Sequence, residues 1–491
     1  MEKQSTFRAL IDQLNLNGIR YCHWKSNVAL AQSIAGRADV DLLVHRGDAD
    51  GFRNILNRLH FRPAVMTAGK PFPSVEHYFA LDEETGTLVH VHAYFRAITG
   101  ESLTKNYRFP IEEMLLGNTR EVYSVRVPTR SAELIVFTLR MMLKHTSLAE
   151  LLLLARYWKQ VGEEMDWLLE TDPVAETLGL VRCYLPTLDP NLFSACIEAL
   201  KEPAPLYRRI LLAHRLRAQL KLYARHSTLK ARLEGVRKFA TMFFRRFARS
   251  QKSLAPSSGG AMIAFVGSEA TGKSTLISEM RAWLGEHFAV QQIHVGKPNA
   301  TPLTWLPNIL LPALRAFFPK ARTTQVDVQQ DAPDRTGRPR KYPLLFVIRA
   351  ALLAHDRWSL LARAFREAAN GTIILCDRYP SEQCGAPDSP QLSGLAMHAK
   401  DPSIRSWLAR IEARYYHEMP SPDLVIYLTA PLEVTIARNA ARSKFEAEAY
   451  VRRRHARSSN LEFQAAVYRV DTDQPLERTI LEVKQAIWAV L

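Results

Sequence analysis

The sequence predicts an α/β protein with two folded units. A small α+β domain stands at the amino terminus, a parallel-sheet domain with flanking helices at the carboxy terminus, and a helical region between them. Three observations carry this expectation. At 491 residues the chain exceeds what one ordinary core holds. Short apolar strand patterns stand at both ends: VDLLV (40–44) and TLVHVHAYF (87–95) in the first part, and AMIAFV (261–266), TIILC (372–376) and PDLVIYLTAP (422–431) in the last. Residues 130–200 carry no strand pattern, only long helix-forming runs such as SAELIVFTLRMMLKH and LAELLLLARYWKQVGEEMDWLLE. The expected boundaries are therefore 1–128 for the first domain, 129–206 for the helical region, 207–260 for a basic helical segment and linker, and 261–491 for the last domain.

The composition, 23% charged and 47% hydrophobic, is that of a globular chain rather than a disordered or fibrous one. The five cysteines (Cys22, Cys183, Cys196, Cys376, Cys384) are scattered, with no CxxC pair, which points to a reduced, cytoplasmic setting. The opening MEKQSTFRALIDQL lacks a secretory pattern, and no run approaches the roughly 18 apolar residues that span a bilayer.

The net charge of +16 is concentrated in one place. Residues 207–253 hold fourteen Lys and Arg against the single acid Glu234, leaving only +3 for the rest of the chain. Within this segment Leu229, Leu233, Val236, Ala240, Phe243 and Phe247 recur at helical spacing, while Arg232, Arg237, Lys238, Arg245, Arg246 and Arg249 occupy other faces. Two readings stand: a helix that packs between domains with a solvated basic face, or one that lies on an anionic membrane, which would place the protein at the inner membrane face. Single-stranded nucleic acid is a weaker third partner. SLAPSSGG (253–260) is a polar linker that marks the next boundary.

The strand AMIAFV runs into GSEATGKST, in which Gly267, Gly272, Lys273 and Ser274 fit G-x-x-x-x-G-K-[ST] in register. The backbone of Gly267, Ser268, Glu269, Ala270, Thr271 and Gly272 would turn its N–H groups toward phosphate, with a helix N-terminus behind them. Lys273 would reach the β and γ phosphates of ATP, Ser274 would supply a hydroxyl to Mg2+, and Thr275 would lie near the α phosphate. Further on, a long amphipathic helix is followed by Gly371 and by TIILC, which ends in Asp377, Arg378 and Tyr379. A carboxylate at the end of a parallel strand beside such a loop is placed to hold magnesium or its water shell, so Asp377 is a metal candidate.

Together with Ala354, His355, Asp356 and Arg357 on that helix, the Asp-Arg-Tyr triplet resembles the thymidylate kinase group of P-loop kinases over 261–491. The resemblance implies that Arg378 holds the acceptor phosphate, that Arg357 faces the acceptor base, and that dTMP is the default acceptor. It also implies an arginine-bearing lid after the strand 422–431, for which Arg438 and Arg442 are candidates four residues apart and Lys444 a third. Asp471 to Asp473 would then lie near the adenine. There are departures. IHVGKPN stands at 293–299 where the family has an Asp-Arg-rich or Glu-Pro-Gly-Gly loop, Thr429 stands where it has Asp, and 300–343 reads as an insertion rich in Pro and Arg.

At the amino terminus, Ser26 followed by Asp39 and Asp41 resembles the nucleotidyltransferase signature, with Lys25 in the place of the expected glycine. Asp39 and Asp41, two apart on a strand, would project from one face and hold divalent cations. The third acid of that signature is replaced by His90 and His92. Imidazole is an acceptable ligand, so the domain either binds metal and nucleotide in altered form or carries acids that merely cap a sheet. His23, Trp24 and Lys25 would line such a cleft. The functional expectation is an ATP- and Mg2+-dependent phosphotransferase acting on a nucleotide or phosphorylated small molecule, with a homodimer as one oligomeric option. The alternative is a nucleotide-binding regulatory or membrane-apposed protein without turnover. By resemblance, chains that join two such halves look like members of bacterial surface-polysaccharide clusters.

Overall fold

The computed structural model describes residues 5–36, 38–67, 72–101, 104–144, 148–201, 205–227, 230–231, 233–237, 240, 254–305, 344–383, 386, 388–392, 403–441, 446–458 and 461–491. The chain divides into two compact units, Met1–Gln251 and Lys252–Leu491.

In the first unit, strands β1 (Tyr21–His23), β2 (Val40–Val44), β3 (Arg62–Met66), β4 (Val75–Leu81) and β5 (Leu88–Tyr94) form a mixed sheet in the order β1-β2-β5-β4-β3. β2 runs parallel to β5, with Asp41 opposite His92, and β4 runs antiparallel to β5, with His77 opposite His92 and Phe79 opposite His90. Strand alternation sends Val40, Leu42 and Val44 to one face, where they meet Phe7, Leu10 and Leu14 of α1 (Thr6–Leu16) and Phe52, Ile55 and Leu56 of α3 (Ala49–Arg58) in one core. A short helix, α2 (Leu30–Ile34), leads into β2. Ser5 caps α1, its hydroxyl accepting from the Arg8 N–H.

The opposite face of the same sheet is sealed at the end that carries Leu43 and Tyr94. There Trp24, Leu43 and Tyr94 join a second core with the helices that follow. Two small hairpins, β6 (Ala97–Thr99) with β7 (Tyr107–Phe109) and β8 (Thr119–Val122) with β9 (Val125–Pro128), flank α4 (Glu112–Gly117). The stretch without strand pattern forms α5 (Arg130–Lys144), α6 (Leu148–Leu169), α7 (Val174–Tyr184) and α8 (Pro190–Lys201), and α9 (Leu206–Gln219) completes the set. α5 is buried almost all round, which makes it the central helix, and each of its large apolar side chains such as Phe137 contributes about 1.5–3 kcal/mol of burial. α9 turns Leu212, Ala213 and Leu216 into this core, so the start of the basic segment packs as a bundle helix. Farther along the segment, Leu233 and Val236 are 62% and 68% exposed. Leu229, Arg232, Lys238, Phe243, Arg245, Arg246, Phe247 and Arg249 lie outside the described residues. Among the described residues no helix is long and apolar enough to cross a membrane.

The second unit is built on β11 (Met262–Gly267), β12 (Val290–His294), β13 (Ile373–Asp377), β14 (Leu424–Thr429) and β15 (Val467–Asp471), all parallel, in the order β12-β13-β11-β14-β15. β10 (Leu254–Pro256) precedes them and bridges Phe288 through Leu254. The central strands are near-continuous apolar runs because both faces of a parallel sheet are covered. Met262, Ala264 and Val266 pack against Leu361, Ala364 and Ala368 of α11 (Leu344–Ala369), on which α12 (Ile404–His417) rests. α10 (Lys273–Gly285) and α15 (Leu476–Val490) pack together through Trp283 and Trp488. α13 (Leu432–Ala440) and α14 (Glu448–Ser458) follow β14. The chain leaves β11 toward one edge of the sheet and leaves β13 toward the other. Right-handed crossovers then put the two connections on opposite faces, and a crevice opens at the carboxyl ends of β11 and β13.

Candidate functional site

The loop that leaves β11 occupies this crevice. Gly267 ends the strand at φ +145°, and a Cβ there would meet the Leu428 carbonyl oxygen of the neighbouring strand at 2.4 Å, so only glycine lets the chain turn here against β14. Ala270 (φ +62°) and Gly272 (φ +88°) carry the loop round, and the Thr271 hydroxyl closes it by donating to the Ser268 carbonyl at 3.0 Å. Lys273 opens α10 and is 8% exposed, its ammonium donating to the carbonyls of Gly267 (3.1 Å) and Ser268 (2.6 Å). Burial pulls its pKa down to about 8, against the opposing pull of Glu269. Ser274 and Thr275 are exposed on the first turn of the helix. The loop therefore presents a buried cation, two open hydroxyls and a helix N-terminus to one side, a combination suited to polyphosphate.

Asp377 ends β13 directly beside the loop strand, in register with Phe265, and its Oδ2 is 4.0 Å from His294 Nε2. Its hard oxygen and the Ser274 hydroxyl are donors of the type magnesium takes. The next residue, Arg378, adopts φ +72°, a left-handed conformation uncommon for a residue with a side chain. Its guanidinium donates to Glu269 at 3.0 Å and to Asp388 at 3.4 Å. Burial opposes the charge, but Asp388 and Glu269 outweigh it and hold the pKa above the ordinary arginine value. Arg454 of α14 lies 3.4 Å from the same Glu269 oxygen. The Glu269 carboxyl is driven up by burial and brought down further by Arg378, Lys273 and Arg454, so it stays below the usual range. Three cations thus converge on one loop carboxylate.

Arg357 is 4% exposed and donates to the Val295 carbonyl, to the carbonyl and Oδ1 of Asp388, and to the Tyr416 hydroxyl. In this structure it positions Asp388, which in turn holds Arg378. Asp356 accepts from Thr301 N–H (3.1 Å) and from the Thr304 hydroxyl (2.5 Å), fixing the loop after β12. Arg438 donates to the hydroxyl and carbonyl of Thr472, within the 471–473 segment expected near the adenine. Arg442 and Lys444 lie outside the described residues.

No sequence motif marks Glu269 as a hub or singles out Asp388 and Arg454. For Arg454 one local signal exists, since Tyr450 four residues earlier accepts from its guanidinium at 2.6 Å and places its ring beneath it.

In the amino-terminal unit, Asp39 and Asp41 do share a face, as their spacing requires, and each accepts from an imidazole: His90 Nδ1 at 2.8 Å and His92 Nδ1 at 3.2 Å. Asp41 also pairs with Lys25 at 2.9 Å, and Lys25 donates to the Tyr94 hydroxyl at 2.9 Å. Burial raises the Asp41 carboxyl, but Lys25 and His92 prevail and hold it far below the carboxylate range. His77 stands against His90, with 3.3 Å between Nδ1 and Nε2, and burial, then His92 and His90, push its pKa down to about 3. His23 hydrogen-bonds Asn27, Trp24 is a core residue, and the Ser26 hydroxyl accepts from Arg140.

No family model matches the chain. The uncharacterized ATP-binding protein YghR of Escherichia coli is 26% identical over 184 residues, which span 36% of this chain and 68% of that protein, in strain K12 and in O6:H1 alike. Among solved structures, a deoxyadenosine kinase from M. mycoides with bound dATP aligns with 46% of this chain and 98% of its own at 16% identity and a TM-score of 0.27. A thymidylate kinase from Candida albicans aligns with 47% and 91% at 19% identity and a TM-score of 0.25.

Proposed function

We propose that the unit Lys252–Leu491 is an ATP-dependent phosphotransferase that moves the γ-phosphoryl group to a nucleotide or another phosphorylated small molecule. The observation that carries this is the convergence of Lys273, Arg378 and Arg454 on the loop Gly267–Thr275, beside Asp377 at the end of the adjacent strand. That the relative YghR is described as ATP-binding agrees with it.

The transferred group passes through a transition state with charge spread over its oxygens, so positioned cations do most of the work. Backbone N–H groups of the loop cradle the phosphates while the Lys273 ammonium exchanges its two carbonyl acceptors for phosphate oxygens. Arg378 and Arg454, held by Glu269 in this structure, turn to the phosphoryl group as its charge replaces that of the carboxylate. Ser274 and Asp377 are the residues that would hold magnesium, which when bound neutralises the β and γ oxygens. dTMP is the first acceptor to test, because Asp377, Arg378 and Tyr379 after the helix that bears Arg357 resemble the thymidylate kinase group.

The test is ADP release and product mass with ATP, Mg2+ and a panel of nucleoside monophosphates, sugars and lipid-linked acceptors. Acceptor-dependent product that disappears in Lys273→Ala is expected. A Lys273→Ala variant that turns over at the wild-type rate refutes the assignment.

A second reading concerns location. The exposed Leu222, Leu233 and Val236 lie in the most basic stretch of the chain, a pattern that favours contact with anionic lipid. Flotation with phosphatidylserine vesicles tests it: a full chain left at the bottom of the gradient removes the membrane reading.

A further inference from the structure

The amino-terminal sheet carries a second constellation that the phosphotransfer reading does not use. His77 on β4 and His90 and His92 on β5 lie on one face, and one nitrogen from each falls within 4.8 Å of the other two. This is the face whose other end, Leu43 and Tyr94, is sealed by the helices. Between that end and the buried Phe79, Leu81 and Leu88, His77 and His92 are only partly buried, so an ion can enter.

The geometry points to a three-histidine site for a zinc-class divalent ion, with His77, His90 and His92 as ligands and Asp39 and Asp41 behind them. Strand register brings this about. Asp41, His92 and His77 form one row across three neighbouring strands, and Asp39 and His90 form the row beside it. The two Asp–His hydrogen bonds fix each ring through Nδ1, so Nε2 is the nitrogen that His90 and His92 offer. A carboxylate behind a ligating imidazole is the usual support of a histidine metal site, because it sets the tautomer and raises ligand basicity. His77 Nδ1 and His90 Nε2 stand 3.3 Å apart, matching the edge of about 3.3 Å between two nitrogens held roughly 2.05 Å from a tetrahedral zinc. A metal between them would replace that contact without moving either strand. One His92 nitrogen lies within 4.8 Å of both and supplies the third corner once its side chain moves inward.

Three neutral nitrogens and an open fourth position suit zinc or cobalt rather than magnesium. This places the ion on the imidazoles, in place of the direct ligation by Asp39 and Asp41 expected from the sequence. The reason is electrostatic: Asp41 is already neutralised by Lys25, and the same ammonium would repel a second cation on that carboxylate. The inference is independent of phosphotransfer by the other unit.

The test uses the untagged full chain, stripped with a chelator and titrated with Co2+ and with Zn2+. The expected result is one ion per chain, four-coordinate Co2+ absorption without a thiolate band, and at least 100-fold weaker binding in His77→Gln and His92→Gln. Asp39→Asn should weaken binding by roughly 10–100-fold. Asp377→Asn, in the other unit, leaves the stoichiometry unchanged. Circular dichroism checks the fold of each variant. Should the histidine variants not fold, 15N-histidine NMR of the wild-type chain decides, with three imidazoles shifting on Zn2+ addition as the supporting result. No bound ion at micromolar metal, wild-type affinity in both histidine variants, or no imidazole shift overturns the site.

Discussion

Lys273 makes the pH dependence of nucleotide binding a sharp test. Its ammonium is buried against two loop carbonyls and titrates at about 8, two to three units below an exposed lysine. Phosphate binding requires the charged form. At pH 7 about nine-tenths of the free protein carries that charge, and at pH 9 about one-tenth does, so raising the pH across this range weakens ATP by roughly tenfold, or about 1.4 kcal/mol. The last ionisation of the nucleotide lies lower, near that of other phosphate esters, so it is nearly complete above pH 7.5. Calorimetric titration at pH 7, 8 and 9 reads the affinity directly. At pH 9, buffers of different ionisation enthalpy should reveal close to one proton taken up per ATP bound. Lys273→Arg keeps its charge throughout and should flatten the profile between pH 7 and 9 whatever its absolute affinity. A flat wild-type profile, or an equal slope in the arginine variant, refutes the reasoning.

Three further outcomes follow from particular contacts. Arg454→Ala should lower kcat by roughly 100-fold while changing ATP affinity by less than about threefold, because its charge is needed most when phosphoryl charge spreads. Arg438→Ala, whose guanidinium is engaged with Thr472, should lose less than about tenfold in kcat, and steady-state kinetics of the two variants in parallel would expose a reversed order. In the first unit, Glu133 is buried and accepts from the Asn27 N–H, and burial raises its pKa from 4.5 to about 7. The unfolded chain releases this proton first, so stability falls as pH rises from 4.5 to 7 and is level beyond, by at most about 3 kcal/mol. Urea midpoints of wild type and Glu133→Gln should therefore diverge, in favour of the variant, between pH 5 and 7.5, and a constant difference across pH contradicts this.

What could be read from the sequence was what neighbours in sequence determine. The pattern G-x-x-x-x-G-K-S spans eight contiguous residues, 267–274, and its first glycine marks the turn that the structure makes against Leu428. The three central strands of the second unit are visible as apolar runs, since inner parallel strands are buried on both faces, whereas the edge strands VQQIH (290–294) and VYRVD (467–471) are half exposed and carry no such run. The helices of 130–200 were visible as well, although the sharing of one core by α5, Trp24 and Tyr94 was not. Hidden were the groups that long-range topology brings together. Glu269, Arg378 and Arg454 are separated by more than a hundred residues in one case and by more than seventy in the other. Arg454 sits in a run of three arginines that looks like a solvated helix face. His77 carried no signal of its own until β4 was paired with β5, because only the register sets it opposite His92.

The central claim is that the backbone from Gly267 to Thr275 grips the phosphates of ATP. Hydrogen–deuterium exchange of the full chain with and without ATP and Mg2+ tests it most directly. Slowed exchange confined to this loop, the first turn of α10 and the end of β13, and absent in Lys273→Ala, is the predicted result. ATP bound with these amides unchanged, or no ATP bound at millimolar concentration, would contradict it.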